Sequence, residues 1–398
     1  MKWYIVLICL TTASGFFHTA SFINQKIRSY LPKNQNKKEN NENIQEKMMN
    51  EQKIIDNAIQ KFDMSWYVVA EKNEIHSKKP YKVTVWGKDY VIWKTGIQSY
   101  TALEDVCPHK GAALSVGVIE NRRIVCPYHG YEFDKSGNLT VVPGLCFQPS
   151  PIYNVARFAV VEKNGWIYLN TWEVLSTTTD EDIQSFADRI FVEPEIENQE
   201  TEGRPASGNP YRNKMKVLFI NQVFKTYPRV VTENSLDIMH IAFVHTFGNK
   251  IRPAPSYENP PKEVGPGHWR TSYVYESGKD SMVSRLFKMK RIDIDNEFVL
   301  PHTSIARIVF GPGLINTVVT AACPINEYET KLFVKTYRNF LLFDFLDNWF
   351  RGLMKDTLNQ DKAVIESIKR ENIDGKFNMK FDKLQNTYRT FYKKFVRD

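Results

Sequence analysis

The sequence Cys107-Pro108-His109, followed after sixteen residues by Cys126-Pro127-Tyr128-His129, decides how the rest of the chain is read. Two thiolates and two imidazoles at this separation can hold a [2Fe-2S] cluster, with both sulfurs on one iron and both histidines on the other. Each short group sits on a tight loop, and the residues between them are expected to form strands and turns that bring the loops together. Gly111, Gly117 and Gly130 suit such turns. A tetrahedral zinc site also uses Cys and His pairs, but its usual pattern spaces each pair more widely than Cys-x-His. Four buried residues without a metal would require this spacing to arise by coincidence in a chain with five Cys and eight His.

The run Cys107-Pro-His-Lys-Gly-Ala-Ala-Leu-Ser115, continued by Cys126-Pro-Tyr-His-Gly-Tyr-Glu-Phe-Asp134, resembles the Rieske domain of the non-haem iron oxygenases. The nearest branch is the single-component group that includes pheophorbide a oxygenase, chlorophyllide a oxygenase and vanillate-type O-demethylases. Respiratory Rieske proteins carry an additional disulfide-forming Cys in each loop, where this chain has Ala112 and Tyr128. That difference points to the oxygenase or ferredoxin type.

A chain of 398 residues with 42% hydrophobic content accommodates two domains with proper cores. Six of the basic residues behind the formal charge of +8 fall within residues 1–38, which contain no acid, so the remainder is close to neutral. This balance argues against a nucleic-acid partner. With Cys9 in the leader and two Cys in the cluster motif, Cys146 and Cys323 remain, and no disulfide framework is implied.

The first residues read as targeting sequence. Lys2, an apolar run from Trp3 to Leu10 and the small residues Ala13-Ser14-Gly15 form a signal-peptide pattern over residues 1–15. Phe16-Phe17 and an acid-free stretch to Lys38 then resemble the two-part presequence of algae with secondary plastids, so plastid import is expected. An ordinary secreted protein is the alternative, but secreted space lacks reduced electron donors. Residues 16–60 are read as transit peptide and linker.

Short alternating runs at Trp66–Ala70, Lys82–Trp86, Tyr90–Lys94, Tyr100–Leu103, Val155–Val161 and Trp166–Asn170 predict an all-β domain over residues 62–172. Gly87-Lys88-Asp89 and Asn164-Gly165 supply hairpin turns. Pro143-Gly144 falls where the resemblance implies a further loop over the cluster. Residues 173–210 read as a connection, and a second domain spans residues 211–398.

That domain carries Asn234-Ser-Leu-Asp237-Ile-Met-His240-Ile-Ala-Phe-Val-His245. Two histidines five apart differ by ~140° around an ideal helix, so both reach one metal only if the helix ends or distorts between them. Two His and one carboxylate on one face of an octahedron form the facial triad of non-haem Fe(II). A helical pattern from about Phe340 to Arg370 places Leu346, Phe350, Met354, Thr357, Leu358, Val364, Ile365 and Ile368 within roughly 60° of Asp361. Asp361 is therefore a carboxylate in an apolar stripe, to be compensated by a metal or by a buried Arg or Lys. Asp356 and Glu366 lie ~140° away on the solvated face. Further strands are expected at Lys214–Ile220, Arg270–Tyr275, Val283–Ile292, Thr303–Phe310, Asn316–Ala322 and Lys331–Tyr337. The fold class is α+β: a β domain, then an antiparallel sheet on a long C-terminal helix, the helix-grip arrangement that the resemblance implies. His268 and His302 are read as surface or structural residues.

The resemblance implies a [2Fe-2S] cluster held by Cys107, His109, Cys126 and His129, and a mononuclear Fe(II) held by His240, His245 and Asp361. It further implies that Asp237 bridges His240 to the Rieske histidine of another subunit in a homotrimer. Asn234 would lie near the iron, a helix-terminus cap being its alternative role. Electrons would come from a ferredoxin or a flavin reductase, and O₂ would be used on a hydrophobic cyclic substrate. The substrate alternatives are a chlorophyll-derived tetrapyrrole such as pheophorbide a, a small methoxylated aromatic, and a sterol or other terpenoid. An electron carrier or redox sensor without oxygenase activity is the other class. The plant pheophorbide a oxygenases carry C-terminal hydrophobic anchors and a late Cys-x-x-Cys, whereas this chain has neither an 18-residue apolar run in its second domain nor that motif.

Overall fold

The computed structural model describes residues 59–145, 150–190, 215–245, 249–276, 291–309 and 313–396, with a few positions between 49 and 57. The expected signal peptide and nearly all of the expected transit peptide and linker lie outside these residues. Contacts divide the chain into two units, the first comprising residues up to Val83 with Asp89–Ile190, the second Thr84–Lys88 with Phe191–Asp398.

The first unit is built on ten short strands: β1 (Trp66–Glu71), β2 (Tyr81–Val85), β3 (Lys88–Lys94), β4 (Tyr100–Glu104), β5 (Val118–Glu120), β6 (Arg123–Val125), β7 (Glu132–Phe133), β8 (Leu139–Val141), β9 (Arg157–Lys163) and β10 (Trp166–Val174). Six form a sheet in the order β1-β10-β9-β4-β3-β2, and β5-β6-β7-β8 form a second, smaller sheet. Two-residue turns set the register of the hairpins. Asn164 and Gly165 both adopt positive φ (54° and 84°), as do Trp86 and Gly87 (53° and 76°), the backbone that matches strand twist in a tight hairpin. The second turn thus lies one residue before the expected Gly87-Lys88-Asp89.

Between the expected strands, Val91, Trp93, Leu103, Leu114, Ile124, Phe133 and Leu139 bury into one cluster that includes Cys107 and Cys126. The sulfurs are therefore anchored from the core side. β10 runs to Val174, two residues past the expected end of the domain. The chain then forms a helix, α1 (Asp180–Ser185), in which Thr179 and Asp182 cap each other's backbone N–H groups. Arg157, buried in β9, donates to the Thr178 carbonyl at 2.7 Å and to Asp180 at 2.9 Å. The first part of the expected connection is thus packed onto the β domain. From residue 191 to residue 214 it lies outside the described residues.

The second unit is an antiparallel sheet in the order β11-β18-β17-β16-β15-β14-β12, with β13 paired to β14. The strands are β11 (Lys216–Phe224), β12 (Tyr257–Glu258), β13 (Lys262–Gly265), β14 (His268–Glu276), β15 (Arg291–Val299), β16 (Thr303–Val309), β17 (Ile315–Asn326) and β18 (Glu329–Arg338). β15 corrects the expected strand at Val283–Ile292, most of which lies outside the described residues. Its sequence alternates Ile294, Asn296 and Phe298 with Asp293, Asp295 and Glu297, and the acids obscured the pattern. Glu297 is buried nonetheless, because His268 and Arg270 of β14 both reach its carboxylate.

Four helices accompany this sheet: α2 (Pro228–Leu236), α3 (Ile241–Val244), α4 (Asp347–Ile365) and α5 (Lys383–Phe395). α4 is the expected long helix with narrower limits. Its buried side chains are Phe350, Leu358, Asp361 and Ile365, whereas Val364 is 46% exposed and Ile368 lies beyond its end. Leu358 and Ile365 pack with Ile220, Phe224, Leu332 and Val334 of the sheet and Val230 and Val231 of α2. Three polar contacts tie the last turns of α4 to the end of β11: Gln222 to Asn359 at 2.8 Å, Lys362 to the Val223 carbonyl at 2.7 Å, and the Lys225 N–H to Glu366 at 2.6 Å.

The last helix, α5, was not expected from the sequence. Leu384, Tyr388 and Tyr392 repeat at a spacing of four and are buried. Arg389 grips Glu233 of α2 at 2.7 Å, which ties α5 to the helix leading into the histidine motif. No helix among the described residues is long and apolar enough to cross a membrane.

Candidate metal centres

In the first unit the two motif loops are near copies of each other. After β4, the Cys107 N–H donates to the Ala112 carbonyl at 2.8 Å and the Gly111 N–H to the Cys107 carbonyl at 2.9 Å. After β6, the Cys126 N–H donates to the Tyr131 carbonyl at 2.8 Å and the Gly130 N–H to the Cys126 carbonyl at 3.0 Å. Each loop closes through a left-handed glycine, Gly111 at φ 73° and Gly130 at φ 70°, a conformation that strains any residue with a Cβ. Gly117, expected at a turn, is instead extended. A Cβ there would stand 2.0 Å from the Val125 carbonyl oxygen, so its role is close approach to the second loop's strand.

The loops bring the four motif residues together with the sulfurs inside and the imidazoles outside. Cys107 and Cys126 are each 2% exposed, whereas both histidines are exposed. Burial pushes the Cys107 thiol up to about 11, and its contact with the Cys126 thiol adds to the shift. Two buried thiols held against each other, with neither in a disulfide, fit a site in which a metal replaces their protons. The His109 and His129 rings lie 4.6 Å apart, and His109 stacks on Tyr131 at 4.7 Å with an interplanar angle of 6°. Buried Asp105 accepts from both the N–H and the hydroxyl of Ser115 at 2.6 Å, fixing the chain beyond the first loop.

In the second unit the histidine motif breaks where the angular argument required. α2 ends at Leu236, and Asp237 adopts an extended backbone (φ −74°, ψ 120°). The Asp237 carboxylate then accepts the N–H groups of Met239 at 2.7 Å and His240 at 3.2 Å, forming a turn. His240 caps the start of the four-residue α3, and His245 leaves its end in an extended conformation. Both rings consequently face one point. Nε2 of His240 lies 3.2 Å from Nε2 of His245, and Oδ1 of Asp361 lies 3.5 Å from each.

These three residues offer ligand atoms all within 4.8 Å of one another. Asp361 is 8% exposed, and its Oδ1 has no hydrogen-bond partner among the described residues. A buried carboxylate oxygen without a donor is costly, and a cation at the centre of the triad would compensate it. Asp356 is exposed on the opposite face of α4, as the helical angle implied. Burial pushes His240 down to about 4, with His245 adding to the shift and Asp361 opposing it. The ring is thus neutral near pH 7, with a lone pair to offer.

Backbone and side-chain acceptors orient the rings. His240 Nδ1 donates to the backbone carbonyl of Asp237 at 2.8 Å. The expected link between Asp237 and His240 therefore runs through the main chain, while the carboxylate holds the turn. Burial raises the Asp237 carboxyl above its ordinary range, against the two N–H groups it accepts. Asn234 lies inside α2, where its carbonyl accepts the Asp237 N–H at 3.2 Å; its side chain does not cap a helix terminus. His245 Nδ1 meets Gln360 Oε1 at 3.2 Å, a contact that sequence reasoning did not identify although Gln360 adjoins Asp361. His268 pairs with Glu297, and buried His302 contacts the Tyr388 hydroxyl at 3.2 Å. Both are structural, as expected.

Comparison with known proteins agrees with this architecture. Residues 65–151 match the Rieske [2Fe-2S] domain family, and residues 224–398 match the vanillate O-demethylase oxygenase C-terminal domain family. The chain thus combines the two domains of the Rieske non-haem iron oxygenases, and its cofactors are a [2Fe-2S] cluster and a mononuclear iron. Among curated relatives, methylxanthine N1-demethylase NdmA of Pseudomonas putida is 25% identical over 80% of this chain and 84% of its own. The dicamba O-demethylase oxygenase component of Stenotrophomonas maltophilia is 37% identical over 26% of this chain and 31% of its own. A putative toluene-4-sulfonate monooxygenase iron-sulfur subunit of Comamonas testosteroni is 29% identical over 46% of this chain. The chain spans less than half the length of these last two, 31% and 45%. Dicamba monooxygenase bound to dicamba shares the fold with a TM-score of 0.65 at 21% identity, covering 84% of this chain and 97% of that one. NdmA with caffeine gives 0.64 at 22%, covering 85% and 92%.

Proposed function

We propose that the chain is the oxygenase component of a system that oxidises a methyl or methoxy substituent on a cyclic substrate. The observation that carries this reading is the His240, His245 and Asp361 triad, with its partnerless buried Oδ1, in a chain that also holds a cluster-binding domain. Cys107, His109, Cys126 and His129 would hold the cluster, and the triad would hold the iron. When bound, these groups supply single-electron transfer and O₂ activation, and the protein supplies position and access.

The chain's own residues do the rest. Buried Cys107 and Cys126 fix the cluster end against the core, while exposed His109 and His129 present the opposite end to solvent or to a partner. Ile238 and Ala242 pack with Tyr273, Tyr275 and Ile294 next to the histidine motif, keeping water from one side of the triad. Demethylation of a methoxy group consumes O₂, two electrons and two protons, and releases the hydroxyl product, formaldehyde and water. A ferredoxin or flavin reductase would supply the electrons. The homotrimer, with Asp237 serving the path between subunits, and plastid import through the leader remain part of the proposal.

The relatives named above act, by name, on a methylxanthine, on dicamba and on toluene-4-sulfonate, and a further one is a 4beta-methylsterol monooxygenase. They support a methylated or methoxylated ring, and give the tetrapyrrole expectation no support. The test is to load the full chain with iron and sulfide, supply a reductase and NADPH, and measure O₂ uptake and formaldehyde with methoxybenzoates, methylxanthines, methylsterols and pheophorbide a. Formaldehyde equal to the O₂ consumed with one of the first three classes is expected. A cluster that reduces normally while no substrate supports O₂ uptake would leave an electron carrier.

A further inference from the structure

The two triad histidines are oriented by different kinds of acceptor. For His240 the acceptor is a backbone carbonyl, Asp237 O at 2.8 Å, which exists in any sequence that makes the 237–240 turn. For His245 it is a side chain, Gln360 Oε1 at 3.2 Å, carried by α4 one residue before Asp361. The helix that brings the carboxylate into the triad therefore also reaches the far side of the second imidazole.

This matters because the triad leaves one protonation choice open. The Asp237 carbonyl only accepts, so His240 carries its proton on Nδ1 and turns a bare Nε2 inward. His245 could carry its proton on either nitrogen: on Nε2 it would donate across the 3.2 Å gap to His240 Nε2, and on Nδ1 it would donate to Gln360. Only the second form leaves both Nε2 lone pairs for a cation, since a metal-bound imidazole nitrogen carries no proton. Gln360 must then present its amide oxygen, not its NH₂, to the ring.

Resting on the proposed iron site, we propose that Gln360 is a positioning residue for it: its amide oxygen selects the Nδ1-protonated tautomer of His245 and so holds Nε2 ready for the metal. The adjoining turns reinforce the arrangement. Asn359, Lys362 and Glu366 each bond to residues 222–225 at the end of β11, so the α4 segment that carries Gln360 and Asp361 is held on both sides of the pair. Outer acceptors of this kind change metal affinity by about 10–100-fold when lost.

The test compares Gln360→Met, nearly isosteric without an amide acceptor, with Gln360→Glu, which keeps an acceptor at the same reach. Fe(II) affinity of the full chain, and the electron paramagnetic signal of its Fe(II)–nitrosyl complex, are measured with the Rieske signal as an internal control. Gln360→Met is expected to bind Fe(II) about 10–100-fold more weakly with a broadened nitrosyl signal, and Gln360→Glu to restore both. In the zinc-loaded protein, ¹⁵N shifts should show His245 protonated at Nδ1 in wild type and Gln360→Glu. Wild-type affinity in Gln360→Met, or weak binding in a folded Gln360→Glu, overturns the proposal while the triad stands. If Gln360→Met does not fold, Gln360→Glu and the wild-type ¹⁵N shifts decide. Failure of the underlying site is distinguishable, since then Asp361→Ala would bind Fe(II) as well as wild type.

Discussion

Replacing Asp361 with Asn should move stability and metal binding in opposite directions. The side chain is 8% exposed, its Oδ1 lacks a donor among the described residues, and its nearest polar neighbours are the Nε2 atoms of His240 and His245 at 3.5 Å. Were an imidazole charged, attraction at that distance would amount to ~5 kcal/mol at an effective dielectric of ~20. With His240 pushed down to about 4, that attraction is absent from the metal-free protein at pH 7. What remains is the cost of an unsatisfied buried charged group, about 1–3 kcal/mol or more. Asn is the same size and uncharged, so chelated Asp361→Asn is expected to be more stable than chelated wild type by ~1–3 kcal/mol. For a domain of this size that is a rise in Tm of about 2–10 °C. With Fe(II) added the order reverses, because wild type gains binding energy that the variant has lost. Thermal unfolding of both proteins, with chelator and with Fe(II), reads the sign directly. A chelated variant less stable than wild type would show that Oδ1 is already satisfied without a metal. Equal stabilisation of both by Fe(II) would remove Asp361 from the ligand set.

Two further outcomes follow from the cluster loops. His129→Ala should abolish the Rieske signal of the reduced protein while the mononuclear iron stays bound, as the two sites share no residue; loss of both metals would contradict separate sites. Gly111→Ala, where a Cβ meets nothing within 4 Å, should cost only the left-handed backbone, about 1–2 kcal/mol, and still assemble a cluster. Gly117→Ala drives its Cβ against the Val125 carbonyl and should reduce cluster content severely, read as iron and sulfide per chain. Equal cluster content in the two variants would refute the distinction between conformation and close approach.

The sequence itself determined the chemistry-bearing residues. Cys107, His109, Cys126 and His129 declare themselves because soft and imidazole ligands on short glycine-closed loops are a local pattern. Asp361 declares itself because a carboxylate in an apolar stripe contradicts the period of its own helix. Local rules also carried most strands and the Asn164-Gly165 turn. The tertiary structure decided what depends on partners distant in the chain. Gly117 looked like a turn residue, yet it is small because Val125 approaches it. The acids of β15 hid a strand, because burial of Glu297 is tolerated only with His268 and Arg270 across the ladder. α5 was legible in Leu384, Tyr388 and Tyr392 but had no motif to draw attention to it. Whether His240 and His245 could share a metal was an open angular question until Asp237 was seen to break the chain between α2 and α3. Gln360 became visible only when α4 lay beside His245, 115 residues earlier in the chain. A hydrogen bond between such distant residues leaves no periodicity in either segment.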